Sequence, residues 1–206
     1  HYPLRRQRQM CIRDRRESHN QRKAWLYRAP RRYRQSCQRL IMQSLSRNIA
    51  TLMGLGFIGF APGTWGSLAT LPLFAVMFHA AGLLGTLIAL PLILSLGWWA
   101  TQSYTQLHKN HDPSEVIIDE VAGQWIALLP LAVGATHAGA SLFALWPGWV
   151  AAFLLFRLFD IWKPSIIGWA DRRSDAIGVM LDDCFAGLFA ALGVIALAGL
   201  FNGLLS

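Results

Sequence analysis

Long apolar runs separated by short polar connections make up the chain from about residue 42 onward. Residues 68–100 are nearly uncharged, with breaks expected at Pro72, 79–85 and Pro91, and further apolar runs cover 121–134, 141–159 and 184–205. Strict alternation of polar and apolar residues is scarce, so strands are not expected. The last run has 22 residues without a charge, enough for one helix to cross a bilayer. The pattern predicts an all-α, multi-span helical membrane protein.

The polar residues fall in three connections, at 54–67, 107–120 and 157–183. The two apolar segments within 121–159 are expected to form a hairpin, which returns the second and third connections to the same side. If 68–100 crosses twice rather than forming one bent span, the first connection joins them. The polar loops are then gathered on one membrane face. The basic residues among them place that face in the cytoplasm by the positive-inside tendency.

Composition strengthens the membrane interpretation, because 54% of the residues are apolar and only 15% are charged. An ordinary soluble domain has about 25% charged residues. The formal charge of +8 is unevenly distributed: residues 1–50 hold 14 Lys and Arg against 2 Asp and Glu, whereas 51–206 hold 5 against 9. No nucleic-acid partner is therefore expected. The expected surroundings are a lipid bilayer, and the sequence leaves the oligomeric state open.

Residues 1–41 differ from the rest of the chain. They contain thirteen Arg or Lys, little apolar periodicity and no hydrophobic region of a signal peptide. The run at 8–15 also resembles a peptide produced when sequencing-adapter DNA is translated. We expect 1–41 to be a basic tail that is either disordered or a sequence artefact. The natural protein is expected to start near Met42, with a helical membrane domain over 42–206.

Two acidic motifs stand directly before apolar runs, Ile-Asp-Glu-Val-Ala-Gly at 118–123 and Leu-Asp-Asp-Cys-Phe-Ala-Gly at 181–187. Both contain Asp-x-x-Ala-Gly, with Asp119 and Asp183 at equivalent positions. A carboxylate beside a membrane span is costly unless it is paired or binds a cation. Mg²⁺ prefers oxygen ligands, usually carboxylates together with substrate phosphate. The motifs predict a magnesium site holding a phosphate. The alternative is two acidic pairs that stand at helix starts and complement the helix dipole.

Two further segments offer contacts to a phosphate. If the helix persists, Arg157, Asp160 and Lys163 share one face, so that Asp160 joins the metal cluster and a cation holds phosphate. The alternative is an Arg–Asp pair that neutralises itself, and Pro164 should end this helix. At 59–67, Thr64 can contact an oxyanion, although a plain turn before a helix is favoured. Residues 171–173 either bind lipid phosphate or form a solvated charge run.

Residues 53–188 resemble the phosphatidylglycerophosphatase A family. The resemblance lies in four motifs: Gly-Phe-Ala-Pro-Gly-Thr-Trp-Gly-Ser at 59–67, Ile-Asp-Glu-Val-Ala-Gly at 118–123, Phe-Arg-Leu-Phe-Asp-Ile-Trp-Lys-Pro at 156–164, and Gly-Val-Met-Leu-Asp-Asp-Cys-Phe-Ala-Gly at 178–187. It implies an all-helical enzyme of the bacterial inner membrane. Such an enzyme removes the terminal phosphate of its phospholipid substrate, phosphatidylglycerophosphate, with Mg²⁺ to give phosphatidylglycerol.

The resemblance also implies roles for individual residues. The catalytic candidates are Asp119, Glu120, Asp160 and Asp183. The candidate metal ligands are Asp119, Glu120, Asp160, Asp182 and Asp183. The candidate phosphate-binding residues are Thr64, Arg157 and Lys163. We expect a carboxylate such as Glu120 or Asp160 to take a proton from the attacking water, with an attacking aspartate as the alternative.

Two other classes compete with a lipid phosphatase. A small non-enzymatic membrane transporter would use buried acids to bind ions. Its acids usually lie in the middle of the spans, whereas the acids here are expected at segment ends. A CDP-alcohol phosphotransferase would need several aspartates along one helix face, whereas the carboxylates here come from three segments.

Overall fold

A computed structural model describes residues 31–108, 114–164, 166–173 and 175–205. The helices are α1 (Arg31–Ala50), α2 (Pro62–His108), α3 (Ile118–Ala138), α4 (Trp146–Trp162), α5 (Ile166–Asp171) and α6 (Ala176–Leu205). Short 3₁₀ helices cover Leu55–Phe57 and Leu142–Leu145. The part of the chain that the structure describes contains no strand. Within the described ranges, four helices are long and apolar enough to cross a membrane, so the predicted all-α, multi-span fold is confirmed.

The chain divides into two units, His1–Gln43 and Ser44–Ser206. Of the first unit, the structure describes only the residues that belong to α1. The prediction that residues 1–41 are a tail or an artefact falls mostly outside the described residues, and it stays a prediction. The second unit contains the end of α1 and all the other helices.

Helix α2 is a hairpin with two legs. Gly82 has φ 61° and ψ −159°, a backbone conformation that is essentially restricted to glycine. On either side of this bend, Gly66 packs against Ile117 and Gly97 packs against Ile118. Both legs therefore reach the same end of α3. At the bend, the ring of His79 stacks on Phe143 with centroids 5.4 Å apart, which places the bend beside the α3–α4 connection.

The bend lies inside the predicted break at 79–85, but the breaks predicted at Pro72 and Pro91 are wrong. Both prolines lie inside α2. Proline removes one backbone donor, yet membrane helices tolerate it because there is no water to compete and neighbouring groups satisfy the freed carbonyl. The glycine at the bend changes the chain direction because its φ and ψ leave the helical region altogether.

The core lies where α3 packs against α2, α4 and α6. Phe74, Leu128 and Phe156 are completely buried, and the Trp125 Nε1–H donates a hydrogen bond of 3.0 Å to the Thr86 carbonyl. Small residues on α6, Ala186 and Ala190 among them, belong to the same cluster. Small side chains let membrane helices approach closely and increase their van der Waals contact.

Two helix ends decide where the polar side chains go. Helix α4 ends at Trp162 because Lys163 takes the left-handed conformation, φ 46° and ψ 55°, and Pro164 follows, as predicted. Helix α6 begins at Ala176, so Asp182 and Asp183 lie inside the helix and not before it. For Asp182 and Asp183, the alternative that the acids stand at a helix start and complement its dipole is therefore wrong. Residues 176–181 are mostly apolar and extend the helix towards its N-terminus.

Candidate active site

A cavity of about 420 Å³ opens where α3 and α6 begin and α4 ends. It is lined by six carboxylates, which are Asp119, Glu120, Asp160, Asp171, Asp182 and Asp183. Three cations also line it, Lys163, Arg172 and Arg173. If all these groups are ionised, the lining has a net charge of −3, the sum of six negative and three positive charges. Like charges at this density repel one another unless a further cation binds.

The crossing of α3 and α6 sets the position of the deepest acids. A Cβ built on Gly187 would clash with the carbonyl group of Gly123, so the two backbones touch here. Asp119 and Asp183 each precede one of these glycines by four residues, which is about one helical turn. Both carboxylates are buried, at 7% and 4% exposure. The repeated sequence motif thus becomes a pair of neighbouring carboxylates.

Asp119, Glu120 and Asp183 form a group that can hold a metal ion. Each residue contributes one carboxylate oxygen, and these three oxygens all lie within 4.8 Å of one another. The Oε2 atom of Glu120 is buried and has no hydrogen-bond partner among the described residues. A buried, unpartnered carboxylate oxygen is costly unless a cation binds it. The donor set consists of oxygen atoms alone, so it fits Mg²⁺.

Asp160 lies beside this group and is held by Arg157. The guanidinium Nη1 donates to Asp160 Oδ2, and both side chains are mostly buried, at 16% and 14% exposure. Asp160 also interacts electrostatically with Glu120 and Asp183. Arg157 itself is not part of the cavity lining. The predicted Arg157–Asp160 pair therefore exists, and the structure places its acidic member in the cavity.

The start of α2 packs against the same groups through Gly63. A Cβ built there would clash with Glu120 Oε1 and would lie 3.1 Å from Arg157 Nη1. Thr64 is half-buried and does not line the cavity, whereas Pro62 from the same motif does. The Ser67 hydroxyl donates to the Gly63 carbonyl at 2.9 Å. The structure therefore supports a packing role for the motif at 59–67, at the start of α2.

Lys163 reaches the cavity by leaving the helix. Because α4 ends at Trp162, the expected shared face of Arg157, Asp160 and Lys163 does not form. The Lys163 Nζ instead donates to Asp182 Oδ2 at 2.9 Å and to Asp171. Partial burial lowers the pKa of Lys163, but these hydrogen bonds outweigh it and raise the pKa above its usual value. The ammonium group therefore stays charged at neutral pH.

One residue of this region was not found from the sequence. Gln124 is completely buried, and neither its Oε1 nor its Nε2 has a hydrogen-bond partner among the described residues. It follows Glu120 by four residues, so both side chains lie on the same side of α3. The available signal was a single amide in an otherwise apolar part of α3. The sequence also offers His111, beside Asp112 in the connection at 107–120, as a candidate acid or base, but it lies outside the described residues.

Comparisons with known proteins found relatives over most of the chain. The model of the phosphatidylglycerophosphatase A family matches residues 48–198. A Haemophilus influenzae protein named phosphatidylglycerophosphatase A is 35% identical over 151 residues, which cover 72% of this chain and 86% of the relative. An Escherichia coli K12 protein of the same name is 32% identical over 163 residues, covering 78% and 87%.

A third relative has a different name. The Bacteroides thetaiotaomicron "putative phosphatidylinositol-3-phosphatase" is 35% identical over 155 residues, covering 73% of this chain and 91% of the relative. No solved structure matches the chain. The matched region, 48–198, includes every residue of the acidic cavity.

Proposed function

This chain belongs to the phosphatidylglycerophosphatase A family, and from that premise we propose that it hydrolyses phosphatidylglycerophosphate to phosphatidylglycerol and phosphate. We propose that the reaction depends on Mg²⁺ and takes place at the cytoplasmic face of the bacterial inner membrane. The observation that supports it best is the group of Asp119, Glu120 and Asp183, which has an unpartnered buried oxygen and opens into the cavity.

The proposed metal ligands are Asp119, Glu120 and Asp183, with Asp160 and Asp182 as further candidates nearby. When bound, Mg²⁺ supplies charge neutralisation at the phosphate and lowers the pKa of a bound water. Asp182 already accepts a hydrogen bond from Lys163. We therefore assign Asp182 first to the positioning of Lys163.

We assign phosphate binding, proton transfer and the orientation of the base to three further residues. Lys163 lines the cavity and is charged, so it holds an oxygen of the phosphate. Asp160 takes the proton of the attacking water, since it faces the cavity and lies outside the group of three. Arg157 orients Asp160. Water forms the new bond to phosphorus, the bond to the glycerol oxygen breaks, and that oxygen takes up a proton.

An attacking aspartate is the competing mechanism. It would form an acyl phosphate, which water then hydrolyses. A single turnover in ¹⁸O-labelled water tests one form of the acyl-phosphate route. Direct attack puts the label into phosphate, and so does water attack on the phosphorus of an acyl phosphate, whereas water attack on its carboxyl carbon leaves the phosphate unlabelled. A phosphorylated protein trapped by acid quenching would contradict direct attack.

The charges around the cavity support the proposed cytoplasmic placement. The cavity is lined by three cations, Lys163, Arg172 and Arg173. Membrane proteins tend to keep Lys and Arg on the cytoplasmic side. Labelling of a cysteine introduced at Ser114, which also lines the cavity, tests this in intact cells. An impermeant reagent should label it only after the inner membrane is opened.

The decisive experiment measures phosphate release by the full chain in neutral detergent micelles. Phosphatidylglycerophosphate should be hydrolysed with Mg²⁺, and EDTA should abolish the reaction until Mg²⁺ is restored. Asp183→Asn should lower the rate by at least roughly 100-fold, since even residues that only support metal ligands contribute 10–100-fold. Glu115→Gln, a carboxylate outside the cavity lining, serves as the matched control. Unchanged release in EDTA would contradict the magnesium assignment.

The substrate is tested in the same assay. A phosphatidylinositol 3-phosphate sample run in parallel compares the two lipids for which the relatives are named. Faster hydrolysis of the inositol lipid would contradict the headgroup assignment and leave the phosphatase assignment standing.

A further inference from the structure

We propose that Arg172 forms a second phosphate subsite, which binds the phosphodiester between the headgroup and the diacylglycerol of the substrate. This proposal rests on the proposed function, because it takes the terminal phosphate to be bound at the carboxylates. According to this proposal, substrate specificity is determined by Arg172 at the cavity rim and not by the carboxylates where the terminal phosphate reacts.

The cavity has an acidic floor, and its three cations lie at the rim together with one carboxylate, Asp171, whose side chain is 42% exposed. Asp119, Asp182 and Asp183 are all less than one-tenth exposed. Lys163 is intermediate, with 31% of its side chain exposed, and Arg173 reaches 41%. Arg172 is exposed as well. A ligand that reaches the floor with a negatively charged group must therefore pass the cations at the rim.

Among the described residues, Arg172 differs from the two neighbouring cations in having no carboxylate partner. Lys163 is bound by Asp171 and Asp182. The guanidinium of Arg173 binds both oxygens of Asp175, at 3.1 and 2.9 Å. Within the described ranges, Arg172 makes no salt bridge, although it lines the cavity. A free guanidinium offers a planar set of donors that match two oxygens of a phosphate.

Helix α5 places this rim at the level of the lipid headgroups. Ile167 and Ala170 face the protein and are buried, whereas Ile166 and Trp169 are exposed. Tryptophan is enriched at the boundary between headgroups and acyl chains. The guanidinium of Arg173 lies 5.8 Å from the Trp169 ring, which fixes the rim next to this anchor.

The two phosphates of the substrate fit this arrangement. The phosphodiester remains attached to the diacylglycerol and must stay near the membrane boundary, where the rim lies. The terminal phosphate is separated from it by three glycerol carbons and can reach the floor. Phosphatidylinositol 3-phosphate, the lipid in the third relative's name, also has a phosphomonoester on a polyol and a phosphodiester to diacylglycerol. The subsite therefore selects lipids that contain both groups.

The test compares two substrates in neutral detergent micelles. Phosphatidylglycerophosphate contains the phosphodiester, whereas phosphatidate has its phosphomonoester directly on diacylglycerol. Arg172→Ala should lower kcat/KM for phosphatidylglycerophosphate about tenfold through a higher KM, the lower end of the range for a hydrogen bond to a charged group. Hydrolysis of phosphatidate should change less than twofold. Arg173→Ala removes the same charge one residue away and should show no such selectivity.

Binding of the product gives a readout that does not need catalysis. Short-chain phosphatidylglycerol retains the phosphodiester and lacks the terminal phosphate. Its dissociation constant, measured by titration, should rise about tenfold in Arg172→Ala and should be recovered in part by Arg172→Lys. This measurement remains valid if the wild-type protein releases no phosphate, so the failure of the proposed function is separable from the failure of the subsite.

Three results would overturn the subsite. An equal loss on both substrates would mean that Arg172 acts on the terminal phosphate. The same selective loss in Arg173→Ala would mean that total charge, and not this residue, is responsible. A loss seen only in vesicles with anionic lipid, and absent in neutral micelles, would mean that Arg172 binds the surrounding bilayer.

Discussion

Gly187 on α6 lies against the backbone carbonyl of Gly123 on α3, with no room for a side chain between them. Gly123 in turn faces the Asp183 carbonyl and the ring of Phe156. Since each glycine follows an aspartate by four residues, this contact aligns the helical turns that bear Asp119 and Asp183. The relative position of these two proposed metal ligands is thus set by a helix crossing and not by a loop.

Because the two helices touch at Gly187, we expect the addition of a single methyl group there to lower both stability and activity. Gly187→Ala should destabilise the protein by about 1–3 kcal/mol, because its Cβ overlaps backbone that cannot move away easily. It should also lower phosphatase activity by separating the two aspartates. Thermal unfolding in detergent and phosphate release measure the two effects.

Gly199→Ala is the matched control on the same helix. A Cβ at Gly199 meets no atom within 4 Å, and alanine favours a helix by up to about 1 kcal/mol over glycine. The control should be as stable as the wild type or more stable. Equal behaviour of the two variants would contradict the close crossing.

We expect substitution of Gln124 to lower activity without lowering stability. Gln124→Leu removes a buried amide without partners, so the free energy of unfolding should rise by about 1 kcal/mol or stay unchanged. If the amide positions Glu120, activity should fall about tenfold, as for residues that support metal ligands. Thermal unfolding and kcat should be measured on the same preparation.

Thr101→Val provides the comparison for Gln124. Thr101 is also completely buried, and its hydroxyl has no hydrogen-bond partner among the described residues, but it lies on α2 and not one helical turn from Glu120. Its substitution should leave activity unchanged. Full activity in Gln124→Leu would show that the amide has no positioning role.

Arg157 can act on Asp160 or on the phosphate, and kinetics separate the two. Since it binds Asp160 and does not line the cavity, Arg157→Lys should lower kcat about tenfold or more with little change in KM. The lysine keeps the charge, so the variant should still fold. A higher KM with unchanged kcat would instead support the phosphate contact predicted from the sequence.

Asp175 gives a pH-dependent contribution to stability. The hydrogen bond from Arg173 lowers the pKa of Asp175, and its Oδ1 also accepts the Gly178 N–H at 3.0 Å, which caps α6. A lowered pKa stabilises the folded state above the pKa of the unfolded chain, about 3.9. This stabilisation is lost as the pH falls through the folded-state pKa.

The comparison is between the wild type and Asp175→Asn, which cannot ionise. The wild type should have the higher Tm at pH 6, and the difference should shrink towards pH 3. A difference that grows as the pH falls would contradict the sign.

The sequence predicted the spans, because a membrane helix needs only a long apolar run and satisfies its own backbone hydrogen bonds. It also predicted the carboxylates of the candidate site, since Asp119 and Asp183 stand beside apolar segments where ionisable groups are rare. The end of α4 before Pro164 was predictable for a similar reason, because proline restricts the residue before it. These features depend on local composition and need no knowledge of neighbours.

Tertiary structure decided which groups meet. Nothing in the periodicity of α2 distinguishes Gly82, where the chain turns back, from Pro72 and Pro91, where it does not. The left-handed Lys163 directs its ammonium group to Asp171 and Asp182 rather than along the helix face. The burial of Gln124, and the lack of a salt bridge at Arg172 within the described part of the chain, depend on what the packed helices place beside them. Burial and pairing are properties of contacts between distant segments, so a linear pattern does not encode them directly.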